Sequence, residues 1–489
     1  MIDYGQIRYI NLIQTKDKKY FSILCTSKDS TEIHVLDRKT FKKKILISRN
    51  DKAKAFCNHA NGKFYILINI DPKTKQKYYD FKVLTQAYNQ QNFEDFYIPQ
   101  EGEIIKEMDI FEHTLALYCS RQGTEYVRII DQDTKNTHIV ELGDQYKAGT
   151  IIQPGLNENL AVETFRFHVD TPFSYNQVFD YNIKKKKAFL LSDFDMKGPK
   201  FNKDKFLIEQ IFAPSQDGQK IPITIIREKN FYKNRKNKLL LHGYGHYGIS
   251  LEIGFSINYL SALEGGWTLG FAHVRGGGEN GCKWHENAIL DKKPVSFFDF
   301  ISCAEFLVAE GYTHPSLLCA YGSSAGGLLV GTVINMRPEL FKACVLNFPF
   351  LDVLSSLIDD KLPLTQSDYS EFGNPLFNDY YYNLISSYCP YQNIRFDTEY
   401  PAVFITCGSS DHRAPLWNVL KYVNRFRERS KSPQKVNEFC DKNILVNILD
   451  SGHNGESGAI QGIKEKSIYL AFLEYVVMNQ NKDISVQIK

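Results

Sequence analysis

No two of the ten cysteines stand as a C-x-x-C pair. The usual zinc sites and a disulfide framework are therefore not indicated, and buried free thiols in a reducing compartment are expected. No apolar run approaches the roughly 18 residues that a membrane-crossing helix needs. The opening Met1-Ile2-Asp3-Tyr4-Gly5 has neither the basic nor the apolar stretch of a secretory leader. A cytoplasmic protein is the expectation. Charge of one sign is not in excess either: the formal balance is +3, which argues against nucleic acid or a membrane as partner. Gly276-Gly277-Gly278 does not lead into a helix at phosphate-binding spacing, so no nucleotide loop is visible. Neither metal nor cofactor is expected.

What is present is length, and two rhythms. The 489 residues can hold two or three domains, each with its own core. Residues 1–203 read as short aromatic and β-branched strands between polar turns, among them Tyr20–Cys25, Glu32–Asp37, Phe64–Ile70, Thr114–Cys119, Tyr126–Asp131, Leu160–Phe165 and Gln177–Asn182. Several end in Asp followed by a basic or amide-rich turn. No helix signal interrupts them. The pattern predicts four-stranded propeller blades, about four or five at roughly 40–50 residues each. The rhythm breaks near Lys197-Gly198-Pro199-Lys200.

Residues 204–489 behave differently. A hairpin turns at Ser215-Gln216-Asp217-Gly218-Gln219, and the apolar strand Leu239-Leu240-Leu241 follows. Strands then alternate with helices predicted over Phe297–Glu310, after Ser324, over Leu416–Arg429 and from about Glu465. This implies a mostly parallel sheet covered on both faces, with chemistry beyond the carboxyl ends of its strands.

One such end carries Tyr321-Gly322-Ser323-Ser324-Ala325-Gly326-Gly327. A strand entering Gly-x-Ser-x-Gly and a helix leaving it make the nucleophile elbow of an α/β-hydrolase, with Ser324 as nucleophile. A serine hydroxyl needs a base to take its proton, and in this fold the order is Ser, Asp, His. Asp411 and His453 each follow a strand in that order. Alone, the first would be a turn former and the second a surface residue; together behind an elbow they make a candidate triad. His412 is the rival base, but beside Asp411 it would point away. The Ala325 amide and the loop His242-Gly243-Tyr244-Gly245-His246-Tyr247-Gly248 are candidates for the oxyanion site; read plainly, that loop is a glycine-rich turn with two core tyrosines.

Together His242–Gly245, Ala272-His273-Val274-Arg275-Gly276-Gly277-Gly278-Glu279, Gly322–Gly327 and Asp450–His453 resemble the prolyl oligopeptidase family. The Ala272–Glu279 string, Phe372-Gly373-Asn374-Pro375 and Ser451–Gly458 resemble its oligopeptidase B branch. The likeness covers nearly all of 206–489 and, more loosely, the later blades of that family's propeller. It implies hydrolysis of short peptides through an acyl-enzyme, a propeller that excludes folded proteins, and an oxyanion role for the Tyr244 hydroxyl. That branch cuts after Arg or Lys through acidic side chains. Here Asp368 and Glu252 stand at two of those positions, while Ser370 and Gly254 replace the other two, so weakened selectivity for basic residues is expected. Arg413 matches a position that grips the substrate backbone, though it would serve equally as a surface ion-pair partner. Tyr247 is placed with the substrate-binding residues.

The resemblance also implies an earlier segment ahead of residue 1. A shortened propeller would leave open edges and invite a partner chain. Three accounts compete: an upstream coding segment left out, a second chain that supplies it, or a degenerate subunit kept for binding. An inactive structural subunit, and an esterase or acylaminoacyl peptidase on the same scaffold, are the alternatives to a peptidase.

Overall fold

The computed structural model describes residues 9–27, 30–146, 148–193, 201–396, 398–430, 443–455 and 458–478. Packing divides the chain between 197 and 198, with the short pieces 253–255 and 280–282 grouped with the first unit. The string Lys197–Lys200, where the rhythm breaks, lies outside the described residues.

Among the described residues, the first unit is built from four antiparallel sheets of four strands, each in simple sequential order. They occupy Tyr9–Ile47, Ala55–Tyr97, Ile104–Ile139 and Ile151–Ser192. These are propeller blades. The Asp turns have a common cause. Asp37 accepts the amides of Lys39 and Thr40 at 2.9 and 2.8 Å. Asp71 and Asp131 each cap the amides two and three residues on in the same way. A short carboxylate that satisfies two amides reverses the chain without a ladder. The strand expected at Leu160 instead begins at Thr164 and runs to Thr171. The Leu160 carbonyl is taken by the Glu112 amide of the preceding blade, so no ladder forms there.

The second unit holds one eight-stranded sheet: β1 (Phe206–Pro214), β2 (Lys220–Glu228), β3 (Lys238–Gly243), β4 (Trp267–Ala272), β5 (Leu318–Ser323), β6 (Ala343–Asn347), β7 (Ala402–Gly408) and β8 (Ile444–Leu449). Their order is β1-β2-β4-β3-β5-β6-β7-β8. β2 alone runs antiparallel to its neighbours; the remaining pairs are parallel. The helices include α1 (Ile257–Glu264), α2 (Pro294–Ala309), α3 (Ala325–Met336), α4 (Thr365–Phe372), α5 (Asp379–Tyr388), α6 (Leu416–Ser430) and α7 (Ala459–Met478). Leu239, Leu241, Leu318, Ala320, Leu346, Val403 and Ile405 are buried in one core with Phe297, Phe300, Leu328 and Val333. Continuous burial of both sheet faces explains the unbroken apolar strands. α7 starts two turns before its expected position. Ile460 and Ile463 in those turns are exposed, so they carry no buried face for a sequence pattern to reveal.

Candidate active site

Ser324 lies between the last residue of β5 and the first of α3, with φ 55° and ψ −119°. A non-glycine residue in that region is strained, and the surroundings must hold it there. Its amide donates to the Asn347 carbonyl at 2.8 Å, and its own carbonyl accepts from Gly327 and Phe350. Two glycines make the turn possible. A Cβ on Gly322 would stand 2.0 Å from the Gly326 carbonyl oxygen, and one on Gly326 would stand 2.6 Å from that of Gly243. Sharpness of this degree lifts the serine hydroxyl clear of the sheet.

Two further loops reach it. Asp411 follows β7 and His453 follows β8, and the loops are stitched together by the Ser410 amide donating to the Ser451 carbonyl at 3.0 Å. His453 Nδ1 is 2.7 Å from Asp411 Oδ2, and its Nε2 is 2.9 Å from Ser324 Oγ. A carboxylate only accepts, so the ring proton sits on Nδ1 and the Nε2 lone pair faces the serine hydroxyl. The other Asp411 oxygen accepts the amides of Arg413 and Ala414 at 2.8 and 3.0 Å. Burial pushes this carboxyl upward, but the bond to His453 and the two amides outweigh it and leave it below its ordinary value. Asp411 thus stays ionised at neutral pH. Ser324 and His453 open on a cavity of about 380 Å³, and Asp411 lies buried behind the imidazole.

Comparison with known proteins agrees. A profile of the prolyl oligopeptidase family matches residues 254–480. The chain is 31% identical over 485 residues to the Xenopus laevis protein named prolyl endopeptidase-like, covering 95% of this chain and 65% of that one. It superposes on the structure of oligopeptidase B from Leishmania major with a TM-score of 0.84 at 27% identity, over 98% of this chain and 66% of that one. Over residues 254–480 the chain carries the prolyl oligopeptidase family domain. A third relative, protease 2 of Moraxella lacunata, is 37% identical over 276 residues, which is 56% of this chain and 38% of that protein. The chain spans less than two thirds of the length of the curated relatives it matches along most of its own length.

The remaining expected site residues separate into two groups. Tyr244 and Arg413 line the cavity with Ser324 and His453, and Ala325 opens α3 directly behind the serine. Asp368, Tyr247 and Glu252 are not part of that lining. Asp368 is buried on α4 and hydrogen-bonds the Tyr247 phenol. Glu252 is exposed. Walls that the motifs did not announce come from Asn347 at the end of β6, from Phe348 just after it, and from Glu465, Lys466 and Tyr469 on α7. Strand-end placement at β6 pointed to the first two; nothing local pointed to α7. No cluster of His, Cys, Asp and Glu suited to a metal occurs among the described residues, and no helix among them is long and apolar enough to cross a membrane.

Proposed function

We propose that this chain is a serine peptidase that hydrolyses short peptides through an acyl-enzyme. The observation that carries this reading is the unbroken line from Asp411 through both nitrogens of His453 to Ser324 Oγ. In it, His453 Nε2 takes the Ser324 proton as Oγ attacks the peptide carbonyl, and later gives that proton to the departing amine. Water then repeats the sequence on the acyl group. Asp411 holds the tautomer and steadies the imidazolium without taking a proton. The Ala325 amide and the Tyr244 hydroxyl are the oxyanion donors in this scheme. Burial, with the negative charges of Glu371 and Asp368, pushes the Tyr244 phenol up to about 12, so it remains a donor at neutral pH.

Selectivity for basic residues is weakened in this reading. Asp368 is already engaged by a phenol, and the hydroxyl of Ser370, where a second carboxylate would stand, turns back to the Ser367 carbonyl at 3.1 Å. A fluorophosphonate probe is expected to label the wild type and not Ser324→Ala. Unlabelled, monodisperse wild type would favour the inactive-subunit alternative. Amides of arginine are expected to be cleaved, with only a modest advantage over neutral amides; a strong preference for neutral acyl esters would favour the esterase or acylaminoacyl peptidase alternative.

A further inference from the structure

The loop that carries Tyr244 is an improbable piece of backbone. Gly245, Tyr247 and Gly248 all have positive φ, at 67°, 59° and 66°, and a tyrosine in that region holds its place only if the surroundings over-determine it. What over-determines it is a buried ionic group. Glu371, at the end of α4, is 1% exposed. Its Oε1 accepts the Tyr247 amide at 3.0 Å and the Lys293 ammonium at 2.8 Å, and its Oε2 pairs with His285 Nε2 at 2.7 Å. Lys293, itself fully buried, donates onward to the Gly245 carbonyl at 3.2 Å. His246 donates from Nδ1 to the Tyr244 carbonyl at 2.6 Å. Burial pushes the Glu371 carboxyl upward, and the Lys293 charge and the His285 bond overcome this and hold it well below the ordinary carboxylate range.

Resting on the peptidase reading above, we propose that Glu371 is a positioning residue: its carboxylate, with Lys293, clamps residues 245–247 and so fixes the Tyr244 hydroxyl in the cavity beside Ser324. A carboxylate three residues before it, Asp368, binds the phenol of the same Tyr247, so α4 grips that residue at both ends. Neither Glu371 nor Lys293 lines the cavity, and both act only through the loop.

The test is a double-mutant cycle on a short peptide amide. Tyr244→Phe removes one oxyanion donor and is expected to lower kcat by roughly 10²–10³. Glu371→Gln is expected to lower kcat by about tenfold or more with KM within about twofold, and to add less than about twofold in the Tyr244→Phe background, because both changes disable one donor. Multiplication of the two single effects would overturn the proposal, as would a Glu371→Gln loss confined to KM. Glu371→Gln leaves Lys293 buried without its partner and threatens folding. Glu371→Gln combined with Lys293→Met removes that charge, and the same cycle is run on the pair. Wild type that neither hydrolyses the peptide nor takes the fluorophosphonate would defeat the peptidase reading and the inference together; labelled wild type with multiplicative effects would defeat the inference alone.

Discussion

At Asp411 the chemistry and the hydrogen bonding can be pulled apart by one atom. An amide at this position keeps the size of the side chain but can donate as well as accept, and so ceases to dictate the His453 tautomer. Asp411→Asn is expected to lower kcat by about 10⁴, with a thermal midpoint close to wild type. Unchanged turnover would mean that another group orients the histidine. The candidate triad could be read from sequence because each member sits at a strand end, and the glycines around Ser324 encode a local backbone shape. Glu371 and Lys293 could not. They lie 78 residues apart, and a Glu or a Lys read alone belongs to a solvated surface. Only a tertiary structure that buries both makes either one meaningful.

Among the elements, the hairpin between β1 and β2 is tied to the sheet by charge. Arg275, after β4, donates from Nε to Asp299 Oδ2 at 2.8 Å and from Nη2 to Oδ1 at 2.7 Å. Its Nη2 also reaches Asp217 of the turn at 3.1 Å, while Ser215 donates to Asp299 at 2.6 Å. Asp299, on α2, has no exposed surface. Such a pair costs much to desolvate and more to break. Asp299→Asn is expected to destabilise by about 3–5 kcal/mol, whereas Asp299→Leu with Arg275→Met is expected to regain most of that loss. Denaturant titration of the second unit's transition reads both, and a double variant no better than the single would show that the pair itself supplies net stability. The turn was legible because Asp217-Gly218 is a local signal; its anchor, 82 residues beyond Asp217, was not. The same division holds for the helices. α2, α3 and α6 were readable, while the short α1, α4 and α5 were not, since eight to ten residues carry too little apolar periodicity.

For the whole molecule, the carboxylates predict how stability follows pH. In the propeller unit, burial pushes Asp71 upward, but Lys82 and two turn amides outweigh it and hold the group at about 2. Glu103 is likewise buried, yet bonds from Tyr97, the Gln100 amide, Arg128 and Tyr126 leave it lowered. Asp411 and Glu371 repeat this in the second unit. Asp109 and Glu107 oppose them, raised chiefly by burial. For a lowered group the unfolded chain binds the proton first, so between the folded and unfolded values stability rises with pH. Its contribution is complete above the unfolded value, about 4, and is lost as pH falls through the folded one. The two raised groups act the other way, losing stability as pH climbs from about 4 toward their folded values. With the lowered groups in the majority and spread over both units, the denaturation midpoint is expected to fall steeply from pH 5 to pH 3. The fall begins earlier, below about 6.5, because burial holds His242 and His246 at about 3 and the unfolded chain protonates them first. Glu371→Gln should flatten the acid limb of the second unit's transition, because the amide has no proton to take up. An equally steep acid limb in that variant would shift the acid sensitivity to the remaining carboxylates and away from the buried group beneath the Tyr244 loop.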